Sequence, residues 1–239
     1  MDSVKINKKD VLMVAHRGLS GIERENTAAA FIAAANRSYF GIETDVRKTK
    51  DGKFVCSHDG DLLRNAGIEA AVCDMTLDEL MQLTLFDTDG RRSRPDLKIA
   101  TLENYISICA RYGKHAILEL KGEFAEGELS EMIEIIDRIG HTDKVIFIAF
   151  NYDNLTRVRR LLPGHPVQFL CDKLTDDVKE KLLHDRFDLD IHHSGATKEV
   201  IDFLHGAALK INCWTVDSQK RAEELAELGV DYITSNILE

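Results

Sequence analysis

Apolar runs of strand length alternate with stretches of helical spacing along the 239-residue chain. Strand-like runs fall near 11–16, 41–47, 115–121, 144–150, 166–170, 187–192, 209–216 and 230–234. Between them apolar positions recur at a 3.6-residue period. They predict helices from Asn26-Thr27 through AAAFIAAANR, from Thr101 to about Arg111, and near 127–139, 152–162, 175–184, 197–206 and 218–228. Asn26 or Thr27 can cap the first helix, and Gly113, Gly140 and Gly229 stand where C-terminal caps belong. Eight strands, each but the last followed by a helix, imply a parallel sheet covered by helices. At this chain length the count fits an α/β fold of the closed (β/α)8 TIM barrel type. The rival is an open doubly wound sheet, and no G-x-G-x-x-G follows the first strand to support it.

Residues 48–100 break the repeat. They hold a hairpin, a short helix-like TLDELMQL and the polar stretch DTDGRRSRPD, and are expected to be a small insertion after strand 2. Residues 1–239 then make a single barrel domain with one insertion at about 48–100. An insertion there lies on the C-terminal face, where the chemistry of this fold sits.

The charge balance narrows the partners. A net charge of −10 and a pI near 5.4 argue against a nucleic-acid surface, so an anionic ligand needs a locally basic or metal-holding site. No apolar run approaches the roughly 20 residues that span a bilayer, and the N-terminus has no signal-peptide pattern. The expectation is a cytoplasmic protein with no stable membrane association. Five scattered cysteines without a C-x-x-C pair read as reduced thiols, mostly buried.

Candidate chemistry concentrates in residues 11–59. Glu43 and Asp45 lie two apart in a strand and share one face. His16 ends the first strand-like run, and His58 follows FVCS. With Asp51-Gly52 as a two-residue loop, His58 is expected directly across the ribbon from Asp45. Strands 2 and 3 are barrel neighbours, which sets Glu119 beside the pair, with Lys121 on the same face. Three carboxylates in one pocket share protons or bind a cation. An all-oxygen set favours one divalent ion, Ca2+ or Mg2+, over zinc. The two histidines are then free for acid–base work, and Arg17 and Lys121 add fixed positive charge. Together these groups suit displacement at phosphorus.

The segments His16-Arg17-Gly18, Glu25-Asn26-Thr27, Glu43-Thr44-Asp45, Thr49-Lys50-Asp51-Gly52, His58-Asp59, Glu119-Leu120-Lys121 and Trp214-Thr215-Val216 resemble the glycerophosphodiester phosphodiesterase family. The likeness runs in order from about 11 to 235. It implies a TIM barrel with an insertion after strand 2, and a metal on Glu43, Asp45 and Glu119. It implies His16 and His58 as general acid and base, and Arg17 with Lys121 on the phosphate. The implied reaction cleaves small glycerophosphodiesters to glycerol 3-phosphate and an alcohol, with a glycerol hydroxyl as a candidate first nucleophile. The chain departs from the family at Ala100, where a Pro is usual, at Ala149-Phe150 for Ser-Phe, and at Thr234-Ser235-Asn236-Ile237 for a Thr-Asp end followed by Pro. The last two bear on the rim and substrate preference.

Other residues have competing readings. Trp214, the only tryptophan, either packs on substrate or belongs to the core. Phe150 and Gln168 are candidate pocket residues, and His192 and His193 read as rim histidines. Glu25 and Asn26 read as a helix cap and a buttress for His16 or Arg17. Arg91-Arg92-Ser93-Arg94 reads as a solvated loop, or as a lure for an anionic substrate. Two other functions compete: a lipid phosphodiesterase, which wants an apolar mouth, and a catalytically dead, ligand-binding barrel.

Overall fold

The computed structural model describes residues 2–239. The chain opens with β1 (Leu12–Ala15), α1 (Ala28–Ala35) and β2 (Gly41–Lys48). An excursion follows, made of β3 (Phe54–Cys56), β4 (Asp61–Leu62), α2 (Leu63–Ala66), β5 (Ile68–Ala71) and α3 (Leu77–Gln82). The alternation resumes with α4 (Leu102–Tyr112), β6 (His115–Leu120), α5 (Glu126–Ile139), β7 (Val145–Ala149), α6 (Tyr152–Leu161) and β8 (Val167–Cys171). It ends with α7 (Asp176–Asp185), β9 (Asp188–His192), α8 (Lys198–Gly206), β10 (Ile211–Trp214), α9 (Gln219–Leu228) and β11 (Tyr232–Ser235).

Eight strands form one closed parallel sheet in the order β1, β11, β10, β9, β8, β7, β6, β2, and pairing of Val14 with Gly41 joins its ends. This is the (β/α)8 barrel that the alternation implies. Its helices begin and end where the sequence signals stand. The Thr27, Thr101, Thr175, Thr197 and Ser218 side chains each accept a backbone N–H from the first turn that follows. Gly113, Gly140 and Gly229 close α4, α5 and α9 in the left-handed conformation.

Period-two alternation sorts the strand residues between two sides. Met13, Ile42, Leu118, Phe147 and Leu189 join the helix-facing core. Val14, Ile117, Ile146, Leu170 and Tyr232 pack inside the barrel. Two residues further along the same faces stand His16, Glu119 and Thr234. Apart from the buried Gln168–Asn212 pair, the barrel is therefore apolar low down and polar at its C-terminal mouth.

The hairpin after β2 corrects one expectation. Val46 pairs with Cys56 and Lys48 with Phe54, and the Thr49 N–H donates to Lys53 O, so the turn holds three residues, 50 to 52. A two-residue type I′ turn needs positive φ at both central residues. Here only Gly52 of the turn has it, at +76°. The register shifts by one, and Ser57 rather than His58 faces Asp45, its N–H donating to Asp45 O at 2.9 Å. Beyond this turn, Val55, Leu62, Ala66, Val72, Leu80, Leu85, Leu97 and Ile99 form a small apolar cluster of their own. That cluster gives the excursion a rigid base from which His58 reaches the barrel mouth.

Candidate active site

Glu43 and Asp45 alternate inward from β2, and Glu119 stands beside Asp45 in the register of β2 against β6. All three are buried, and each offers an oxygen within 4.8 Å of the others. Glu43 Oε1 has no hydrogen-bond partner. Burial, with the Asp45 and Glu119 charges, pushes the Glu43 carboxyl well above its usual range. Burial and then Asp45 raise Glu119 to about 7. Burial opposes the Asp45 charge too, but Arg17 and Lys121 outweigh it and hold this carboxyl low.

Those cations are placed by local backbone. Arg17 takes a positive φ of +53°, followed by Gly18 at +77°. A Cβ on Gly18 would come within 2.7 Å of Ala30, so this corner against α1 requires glycine. The turn aims the Arg17 N–H at Glu43 Oε2, 2.8 Å away, and sets its Nε 3.3 Å from Asp45 Oδ2. Lys121 Nζ lies 2.7 Å from Glu119 Oε1 and 3.2 Å from Asp45 Oδ1. Asn26 donates to Asp45 Oδ2 at 2.9 Å and accepts from Thr44 Oγ1, while Thr27 alone caps α1. Glu25 bridges Arg17 and Arg64.

The two histidines flank this group. His16 Nδ1 is 2.8 Å from Asn236 Oδ1, and its Nε2 is 4.0 Å from Glu43 Oε2. Burial, then the Arg17 charge, lowers His16 to about 4. His58 Nδ1 is 2.8 Å from Asp59 Oδ1, and Asp59 Oδ2 accepts from Arg64 Nε at 2.6 Å. Arg47 donates twice to the His58 carbonyl. Burial lowers His58, with the Asp45 carboxylate and the Asp59 hydrogen bond opposing it.

A cavity of about 100 Å³ brings the groups together, lined by His16, Arg17, Glu43, His58, Glu119 and Lys121 on one side. Asp45 is not on its surface and sits behind Arg17 and Lys121. Phe150, Trp214, Asp190 and Thr234 line the other side. Trp214 stands edge-to-face with Phe150 at 5.7 Å and with His192 at 5.4 Å. A larger groove shares His16 and Arg17 but contains none of the three carboxylates.

Some residues fall elsewhere than expected. Gln168 lies near the start of β8 and bonds Asn212, and Leu170 takes the cavity position. Arg91, Arg92 and Ser93 are exposed, as a solvated loop, while Arg92 stacks over Phe86 and Arg94 pairs with Glu23 and Asp96. Asp190 was not among the sequence candidates. It is buried with Oδ1 unpartnered, and burial raises its carboxyl well above the usual range. The alternation Asp188, Asp190, His192 carried the same signal as Glu43 and Asp45. Asp217 was missed too, with no local pattern to mark it, and Asn236, noted only as a departure at the rim, proves to be the partner of His16.

The arrangement agrees with the chain's likenesses. Residues 16–238 match the model of the Glycerophosphoryl diester phosphodiesterase family. The chain is 29% identical to a glycerophosphodiester phosphodiesterase of Bacillus altitudinis, over 92% of this chain and 91% of that one. Its fold overlays a phosphodiesterase of Oleispira antarctica, solved in complex with the product sn-glycerol-3-phosphate, with a TM-score of 0.85 and 27% identity, covering 98% of this chain and 96% of the other. A Thermotoga maritima glycerophosphodiester phosphodiesterase gives a TM-score of 0.77 at 26% identity, covering 95% and 94%.

Proposed function

The chain belongs to the glycerophosphoryl diester phosphodiesterase family, which hydrolyses glycerophosphodiesters, and from that premise we propose that it does so with one divalent cation and a pair of histidines. The observation that carries this reading is a buried three-carboxylate cluster, one oxygen left without a partner, between two imidazoles that line the same cavity. Glu43, Asp45 and Glu119 would hold the ion, and their all-oxygen chemistry suits Ca2+ or Mg2+. When bound, the ion neutralises charge on the phosphoryl oxygens. Arg17 and Lys121 add to that neutralisation from the side of Asp45.

The histidines divide the proton work by their partners. His16 is buried and its ring contacts a neutral amide, so it stays unprotonated and accepts the proton of the attacking hydroxyl, from water or from the adjacent glycerol carbon. Burial lowers His58, but the Asp45 charge and the Asp59 carboxylate at Nδ1 oppose that and support its imidazolium more than the amide partner of His16 can, so it is the one that returns a proton to the departing alcohol oxygen. The unpartnered Asp190 Oδ1 and Trp214 Nε1, both buried on the same cavity, supply a carboxyl group and an indole N–H donor for the free glycerol hydroxyls.

The test is release of glycerol 3-phosphate from glycerophosphocholine, with Ca2+ and Mg2+ in parallel. The expected result is metal-dependent product formation, lost in His16→Ala and in His58→Ala. Turnover confined to micellar lipid, or ligand binding without turnover at any divalent metal, would overturn it.

A further inference from the structure

Nothing in β1 decides which ring nitrogen of His16 carries a proton. The decision traces to the opposite end of the chain. Asp217 Oδ1 accepts from the Asn236 backbone N–H at 2.8 Å and from Ser235 Oγ at 2.9 Å, and Asp217 Oδ2 accepts from Asn236 Nδ2 at 2.6 Å. A carboxylate is acceptor-only, so the Asn236 amide must present its NH2 to Asp217. Its Oδ1 is thereby turned toward His16 Nδ1, 2.8 Å away, and Ser20 Oγ, 2.6 Å away. That oxygen cannot donate. The short contact to Nδ1 is a hydrogen bond only if the imidazole supplies the proton. Ser20 Oγ also reaches His16 O at 2.7 Å, which anchors the same loop.

We infer that Asp217 and Asn236 are positioning residues that set His16 in the tautomer with the proton on Nδ1 and the lone pair on Nε2. Nε2 is the atom that faces Glu43. The kinetic consequence rests on the reading of His16 as the base; the tautomer itself does not. Asp217 touches neither the carboxylates nor His16. It acts by forbidding the flipped amide, which would put an NH2 against Nδ1 and move the ring proton to Nε2, blocking the base.

The test uses the full chain with 15N-labelled histidine rings, metal-free, with His16→Gln to assign the signals. The expected wild-type result is a protonated, pyrrole-like Nδ1 and a bare, pyridine-like Nε2 on His16. In Asn236→Ala the His16 signals should shift toward the other tautomer. The kcat for glycerophosphocholine should fall roughly 10–100-fold, with KM within about twofold. The exchanged pair Asp217→Asn/Asn236→Asp keeps an acceptor at Nδ1 and a donor behind it, so on the neutral ring it should restore the wild-type nitrogen signals, while its carboxylate favours the imidazolium and moves the acid limb of kcat/KM to higher pH. A bare Nδ1 in the wild type, or an Asn236→Ala spectrum unchanged at His16, would overturn the inference. So would kcat and KM moving together in Asn236→Ala with no recovery of the ring signals in the exchanged pair. Should the wild type show the expected ring signals yet cleave no glycerophosphodiester, the proposed function falls and the tautomer assignment stands.

Discussion

His16 and His58 line one cavity but are built differently. His16 leaves the end of a barrel strand, its side chain 17% exposed, and its support is uncharged at the point of contact. His58 arrives from the excursion, 35% exposed, on a chain of alternating charges that runs through Asp59, Arg64 and Glu25 to Arg17. The buried amide partner favours a neutral ring with a fixed lone pair. The carboxylate partner favours an imidazolium. In the proposed mechanism, two residues of one type thus take opposite proton duties from what stands behind their Nδ1 atoms. The charge chain also couples His58 to Arg17, so the acid is aligned by the group proposed to hold the phosphate.

The sharpest test of that contrast lies between the two rings. Glu43→Ala should remove metal binding and lower turnover by at least about 10³-fold while leaving a cooperative thermal melt. An unfolded variant would instead make Glu43 a structural residue. Next, His16→Ala and His58→Ala should each lose about 10²–10⁴-fold on an alkyl leaving group. Replacing that group with p-nitrophenolate, which departs without a proton, should rescue His58→Ala but not His16→Ala. Equal rescue of both would erase the division of labour.

The acid side of the pH dependence separates the carboxylates from His16. Glu43 and Glu119 are raised, Glu119 to about 7, so protons compete with the ion. Calorimetric metal affinity should rise at least about tenfold per pH unit below roughly pH 7, a proton being displaced from Glu119 and a second from Glu43. With the ion saturating, the acid limb of kcat/KM should fall below the ordinary histidine value of about 6.5, because His16 is lowered to about 4. The smallest effect concerns the other limb. Burial lowers His58, and the Asp59 hydrogen bond partly opposes it, so Asp59→Asn lowers the pKa of this group further. The alkaline limb should move to lower pH, with a loss of several-fold to about tenfold at pH 8. Asn236→Ala should leave that limb in place.

The barrel was legible from one-dimensional patterns because its signals are local. Strand alternation, helical spacing, the threonine caps and the Gly113, Gly140 and Gly229 stops each act over a few residues. The carboxylate cluster was nearly as legible. Glu43 and Asp45 share a face by strand geometry alone, and Glu119 follows once strands 2 and 3 are neighbours. The hairpin register was not legible, because Asp-Gly serves turns of two and of three residues. The choice depended on whether Asp51 joined Gly52 at positive φ.

The support of His16 belongs to tertiary structure, whereas His58 finds its carboxylate in the next residue, Asp59. Asn236 meets His16 across 220 positions of chain, and Arg64 meets Glu25 across 39. Residue order thus determined which side chains face the barrel mouth, since that needs only the alternation of a strand. It could not settle which nitrogen of His16 is free, nor that Arg64 and Glu25 would tie the site to the excursion. Those follow from hydrogen-bond partners that closure of the barrel and folding of the excursion bring within 3 Å, and a hydrogen bond has no reach along the sequence beyond the turn that contains it.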